Sequence, residues 1–193
     1  MPDRGPGTEA GAPRLLLFSS LFPSSVQPHA GLFIRERLRQ VMPPVEAVVV
    51  SPQPWFPFQG LIRRFRPDYR PGKPFREQQG GLTVYSPRFL ALPGFGRRLD
   101  GFFMALGARR TVGRLVCDQR IQLIDAHFAC PDGHAASYLA RWFSLPFVVT
   151  LRGTEVRLCQ SPPLRRRVLA TLRRAAAVVT VANSLRDVVV AAG

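Results

Sequence analysis

Residues 121–155 read IQLIDAHFACPDGHAASYLARWFSLPFVVTLRGTE. Ile121 to Ile124 is a short apolar run suited to a buried parallel strand, and Phe147 to Leu151 is a second. Between them Ala135, Ala136, Leu139, Ala140 and Phe143 recur at helical spacing, and Pro131-Asp132 marks a helix start. Strand, helix and strand in that order make a βαβ unit, whose crossover is right-handed in nearly all cases. Open parallel sheets bind ligands beyond the carboxyl ends of their strands. His127 follows the first strand and Arg152, Gly153, Thr154 and Glu155 follow the second, so both groups are expected on that edge.

Working outward, the same alternation continues in both directions. Six strands are expected near residues 14–18, 45–50, 82–85, 121–124, 147–151 and 177–181. After the first, a long loop leads through Gly31 into LFIRERLRQV, whose Ile34, Leu38 and Val41 share one face. Gly31 has two readings: a turn glycine, or a point of close approach by a ligand phosphate. Pro43-Pro44 stops that helix. Residues 97–116 read as a helix with Leu99, Phe102, Phe103 and Leu106 on one side, weakened by Gly107 and Gly113. Leu164 to Arg174 is another, and Asn183 or Ser184 caps a last short one. The fold class is α/β: a Rossmann-like, doubly wound, mostly parallel sheet. Residues 1–13, rich in Gly and Pro, are expected to form a disordered tail before one domain over 14–193.

The formal net charge of +15 comes almost wholly from arginine and suits polyanionic partners, although a GC-rich coding sequence would also enrich arginine. No helix-turn-helix, RRM or zinc-finger signature accompanies it, so nucleic acid is not expected as a partner. Residues 55–66, WFPFQGLIRRFR, interleave aromatic and aliphatic side chains with arginines. Such a stretch suits an anionic membrane interface, and equally a variable insertion packed on its own domain. Cys117, Cys130 and Cys159 have no metal-ligand spacing and read as reduced thiols. No run approaches the roughly 20 apolar residues that span a bilayer. A cytoplasmic protein, peripheral to the inner membrane face at most, is the expected location.

Missing motifs narrow the chemistry. The first strand is not followed by GxGxxG, and GxxxxGK[ST], GxSxG, HExxH and DxD are all lacking. A dinucleotide oxidoreductase, a P-loop NTPase and a metal-bridged nucleotide site are therefore disfavoured, and no metal is expected.

Five segments occur in a telling order: LFSSLFPSSVQPHAGLFIRERLRQV (17–41), VVVSPQPWFPF (48–58), GLTVYSPRFLALPG (81–94), LIDAHFACPDGHAASYLARWFSLPFVVTLRGTE (123–155) and LRRAAAVVTVANSLRD (172–187). Together they resemble the N-terminal domain of family 4 glycosyltransferases, the retaining GT-B enzymes. The resemblance implies one half of a GT-B fold, with two Rossmann-like domains facing across a cleft. The first domain binds mainly the acceptor and the second the nucleotide-sugar. It implies a catalytic role for His127 near the transferred sugar. Gly31 would face the donor diphosphate, and Arg152, Gly153, Thr154 and Glu155 would bind substrate. The family's usual TLHGSD appears as TLRGTE, with Arg152 for a histidine and Glu155 for an aspartate. Asp125 replaces the first histidine of its HxHF pattern. The donor-binding C-terminal domain is expected to be absent from these residues and supplied separately or missing.

The function so implied is the acceptor side of a nucleotide-sugar-dependent glycosyltransferase acting on a polysaccharide, lipid-linked or other glycan. It would use the nucleotide-sugar as substrate and no cofactor. A non-catalytic half-enzyme that binds an acceptor or a membrane is the alternative. Residue by residue, His127 also suits a backbone contact at a strand end, Arg152 a surface pairing with Glu155, and Asp132 a helix cap. His134 and His29 are expected to be exposed.

Overall fold

The computed structural model describes residues 13–42, 45–57, 59–65, 71–91 and 99–193. Residues 1–12 of the expected tail, the Pro43-Pro44 stop, Phe58, the end of the basic stretch at Arg66 and the helix start at Arg97 lie outside them. The strands are β1 (Arg14–Phe18), β2 (Glu46–Val50), β3 (Gln53–Trp55), β4 (Arg76–Gln79), β5 (Leu82–Tyr85), β6 (Arg88–Leu90), β7 (Leu123–His127), β8 (Phe147–Leu151) and β9 (Ala177–Thr180). The helices are α1 (Leu32–Val41), α2 (Gln59–Phe65), α3 (Asp100–Gln119), α4 (His134–Phe143), α5 (Thr154–Cys159), α6 (Pro162–Leu172) and α7 (Asn183–Ala191).

The main sheet runs β4-β5-β2-β1-β7-β8-β9. Every neighbouring pair is parallel except β4 with β5. All six expected strands lie in it, in the doubly wound order that reverses between β1 and β7. Strand alternation explains why both faces are covered. Leu16, Phe18, Val48, Val50, Ile124, Ala126, Val149 and Leu151 point to the side of α3, α4 and α6. Leu17, Val49, Leu82 and Val84 point the other way, against Ile34 and Leu38 of α1 and against Phe22.

Several details depart from expectation. β4 adds an antiparallel margin, and β3 pairs with β6 as a separate two-stranded sheet. Their short polar segments carry little periodic signal. The fourth expected strand is displaced to Leu123–His127 because its parallel register with β1 is Leu15↔Leu123 through Phe18↔Ala126. Residues 154–159 form a short helix where a loop was expected.

Within α3 the expected apolar face is split: Phe103 packs against the core, whereas its neighbours in that set face outward. Leu99, just before the helix, and Phe102 and Leu106 are exposed, while Gly101, Met104, Ala105, Ala108, Val112 and Leu115 are buried. Small residues are needed there because β6 crosses close by: a Cβ on Gly107 would lie 2.4 Å from the Arg88 carbonyl oxygen. Gly107 thus secures the helix in place. At α7 the residue before the helix is Ala182, with no side-chain cap.

Candidate functional site

The sheet order reverses between β1 and β7, and the residues that follow these strands line a cleft of about 680 Å³. Ser20 comes from the loop after β1, Phe128, Cys130, Pro131 and Asp132 from the irregular turn after β7, and Arg152, Gly153, Thr154 and Arg157 from the segment after β8.

His127 is the last residue of β7, not part of the following loop, and is 1% exposed. Its Nδ1 faces two Arg152 nitrogens, Nε at 3.3 Å and Nη2 at 3.1 Å. Arginine can only donate, so Nδ1 must be the acceptor and the ring proton sits on Nε2. That nitrogen points toward Asp125 Oδ2 at 3.6 Å, too long for a hydrogen bond. Burial lowers the histidine's pKa, Asp125 works against this, and the guanidinium groups of Arg152 and Arg37 reinforce it. The imidazole is therefore neutral at physiological pH and holds an arginine.

Arg152 is the part of this pair that reaches the cleft. Its guanidinium lies over the Phe33 ring, 4.7 Å from the centroid, two residues into the chain after Gly31. Gly31 itself adopts φ +69, and a Cβ there would lie 2.4 Å from the Leu21 carbonyl oxygen. A glycine is required by the backbone alone. Arg37 anchors α1 to β8 through its bond to Thr150 Oγ1 at 2.6 Å.

Glu155 is fully buried. One carboxylate oxygen accepts the Ala129 N–H at 2.9 Å, and the other accepts those of Arg152 at 3.2 Å and Gly153 at 3.0 Å. The Thr154 hydroxyl adds a contact at 3.3 Å. Glu155 thus ties the turn after β7 to the segment after β8 and has no free oxygen to offer a ligand. The expected Arg152–Glu155 pairing exists only through the Arg152 backbone N–H. Of the residues singled out, Arg152, Gly153 and Thr154 line the edge cleft, Glu155 is buried behind it, His127 faces a cavity on the α1 side, and Gly31 is two residues from the Phe33 that Arg152 covers.

Ser20 and Lys73 were not singled out from the sequence, and Asp132 was read there as a helix cap. Asp132 does not cap α4, which starts at His134; its Oδ2 accepts the Ser20 hydroxyl at 3.1 Å. Lys73 arrives from the far side of the basic stretch. The Gln53 side chain grips its backbone from both sides, accepting the Lys73 N–H at 3.0 Å and donating to its carbonyl at 2.9 Å. Lys73 Nζ then donates to Ser51 Oγ at 3.3 Å and the Ser20 carbonyl at 3.5 Å. Burial lowers the Lys73 pKa, and the charges of Glu77 and Asp132 oppose that. The Ser19-Ser20 pair after β1 was a usable signal; nothing local marked Lys73.

His134 is half-buried, not exposed. Burial first, then the charges of Arg167 and Arg174, lower its pKa to about 4. Cys130 is buried enough that its thiol is pushed up to about 11 and stays protonated. A second cavity, about 400 Å³, runs beneath α1 and touches His127 and Asp125 from that side. Its walls are mostly apolar and reach toward the amino ends of β1, β2 and β7, so the edge cleft is the better candidate for polar chemistry.

Residues 65–193 match the family described as Glycosyltransferase Family 4. The chain belongs to glycosyltransferase family 4. The family 4 domain is also 28% identical, over 154 residues, to a Bacillus subtilis (strain 168) protein described as "Putative teichuronic acid biosynthesis glycosyltransferase TuaC". That match takes in 75% of this chain and 37% of the relative, so the chain spans well under half of the relative's length. A UDP-GlcNAc 2-epimerase from Methanocaldococcus jannaschii shares the fold, with a TM-score of 0.50 and 8% identity over 92% of this chain and 42% of that one. The fold expected from the family resemblance is thus observed, and the edge cleft is the family 4 domain's candidate site.

Proposed function

We propose that this family 4 domain is the acceptor side of a nucleotide-sugar-dependent, retaining glycosyltransferase. The observation that carries the reading is the family match over a domain whose polar cleft sits at the reversal of strand order. A second domain, bearing the groups that hold the nucleotide and phosphates, would close over this edge. Closure would set an acceptor hydroxyl beside the anomeric carbon, and positioning supplies much of the rate. The acceptor oxygen–C1 bond forms as the C1–phosphate oxygen bond breaks, and the hydroxyl proton leaves with the departing phosphate. Arg152, oriented by neutral His127 and propped on Phe33, would stabilise the negative charge that develops on that phosphate, without a metal. The relative's role in teichuronic acid biosynthesis supports a growing glycan as acceptor.

The test is transfer by the complete enzyme that contains this domain, with the product's anomeric configuration read by NMR. Retention of configuration with a nucleotide-sugar donor is expected. Inversion, or no transfer from any nucleotide-sugar, would overturn the reading. Residues 1–193 by themselves should transfer nothing, because in this reading closure of a second domain is what sets the acceptor against the donor.

A second reading has its own observation. Trp55, Leu61 and Phe65 are 41%, 59% and 78% exposed, with Arg64 exposed beside them. Apolar side chains flanked by a cation suit the headgroup layer of an anionic membrane. Such contact would bring a lipid-linked acceptor to the cleft and is compatible with either a catalytic or a purely recruiting domain. No helix among the described residues is long and apolar enough to cross a membrane.

A further inference from the structure

We propose that Ser20, backed by Asp132, is the subsite that grips a hydroxyl group of the sugar acceptor. The proposal rests on the glycosyl-transfer reading and adds the residues that would hold the substrate. Ser20 follows β1 and Asp132 follows β7, so the two meet where the strand order reverses, and both line the edge cleft.

Their chemistry is directional. A serine hydroxyl has one proton and two lone pairs. Ser20 gives its proton to Asp132 Oδ2, so it can meet a ligand only as an acceptor. Sugar hydroxyls are the donors that fit such a group. Ser20 is half-buried and reachable, whereas Asp132 is 1% exposed and acts through it. Ser20 would touch the substrate, and Asp132 is a positioning residue.

Local structure does not account for Asp132. It caps no helix, and its Oδ1 is buried with no hydrogen-bond partner among the described residues. A buried carboxylate oxygen without a donor is destabilising. Burial pushes the carboxyl up to about 7, even though the Ser20 hydroxyl and backbone N–H and the charge of Lys73 all favour the ionised form. Lys73, clamped by Gln53, is the nearby cation that works against this rise. A buried carboxylate oxygen left without a donor, at a cost to stability, is characteristic of substrate sites.

The experiment uses the complete enzyme with Ser20→Ala, Ser20→Thr and Asp132→Asn. Donors are UDP-glucose, UDP-N-acetylglucosamine and GDP-mannose; acceptors are the methyl glycosides of glucose, galactose, mannose and glucuronic acid. Transfer to the methyl glycoside is compared with hydrolysis of the donor, in which water takes the acceptor's place. Ser20→Ala should raise the acceptor KM about tenfold, as expected for one hydrogen bond, with hydrolysis changed less than about twofold. Ser20→Thr, which keeps the hydroxyl, should restore it. Asp132→Asn should also raise the acceptor KM while its melting temperature, above the pH range where Asp132 titrates, does not fall.

An unchanged acceptor KM in Ser20→Ala would overturn the proposal. So would a parallel fall of transfer, hydrolysis and melting temperature in Asp132→Asn, which would make the pair a structural stitch. If the wild type neither transfers nor hydrolyses any donor, the glycosyl-transfer reading itself fails. Saturation-transfer NMR with the same methyl glycosides then decides: binding lost in Ser20→Ala keeps the subsite, and binding unaffected or absent removes it.

Discussion

Replacing Glu155 tests whether one buried carboxylate assembles the edge. Glu155→Ala removes the acceptor for three backbone N–H groups, those of Ala129, Arg152 and Gly153. Each buried N–H left without a partner costs ~1–3 kcal/mol, or ~3–9 kcal/mol for three. Releasing a buried anion from its own desolvation penalty offsets several kcal/mol of that, leaving a net loss of ~4 kcal/mol. For a domain of this size, ~2–4 °C of melting temperature accompanies each kcal/mol, so a fall of ~8–16 °C is expected. Glu155→Gln is gentler. Its amide oxygen can still serve Arg152 and Gly153, but its NH2 then confronts the Ala129 N–H, for a loss of ~2 kcal/mol. Thermal unfolding gives the ranking, and amide exchange should show lost protection at residues 129, 152 and 153. A fall of less than ~3 °C in Glu155→Ala, with exchange unchanged, would refute the bracing role.

Other expectations follow from the same geometry. In the complete enzyme, His127→Ala should lower kcat ~10²-fold with little change in acceptor KM, and adding Arg152→Ala should cost little more, since the two act as a unit; an unchanged kcat returns His127 to a structural role. Gly31→Ala meets both a left-handed backbone and the Leu21 carbonyl, and should destabilise by ~2–4 kcal/mol in denaturant titrations. His134 has a folded-state pKa of about 4 against 6.5, so the unfolded chain binds more protons in that interval and stability falls as pH drops through it. His134→Phe should flatten that slope, whereas the raised carboxyl of Asp132 works in the opposite sense, losing stability as pH rises toward about 7. Joint replacement of Trp55, Leu61 and Phe65 by Ser should abolish co-sedimentation with phosphatidylglycerol vesicles; retained sedimentation would remove the membrane reading.

The parallel sheet was legible because each of its six strands is a β-branched or leucine-rich run separated by a helical period. β4 was not, since Arg76–Gln79 carries no apolar alternation and exists by pairing with β5. The outward Phe102 and Leu106 of α3 were misassigned for a related reason: hydrophobicity predicts burial, but close approach of β6 favours the small face. At the site, position after a strand pointed to Arg152, Gly153 and Thr154, which line the edge cleft, and to His127, which instead holds Arg152 from behind. Position could not say which side chain reaches the cleft. Glu155 turned inward because three N–H groups converge on it, and Arg152 took the outward place. Asp132 read as a cap because Pro-Asp before a helix usually is one. Lys73 had no local signal, for its place depends on Gln53, twenty positions earlier.

That two-sided grip has a consequence for how the domain can change. The Gln53 amide imitates a peptide group pairing with the Lys73 backbone, and Gln53 is itself fixed in β3 and bonded to the Ser86 carbonyl. The lysine's backbone is therefore held by β3 and the turn at Ser86. Lengthening the segment closed between residues 55 and 73 costs little, each doubling adding ~0.6 kcal/mol. Lengthening the segment at its exposed positions should therefore leave the amine beside Ser20. The clamp separates the lysine from the exposed turn of α2, and new surface sequence at Leu61 to Phe65 is the engineering route that this separation opens.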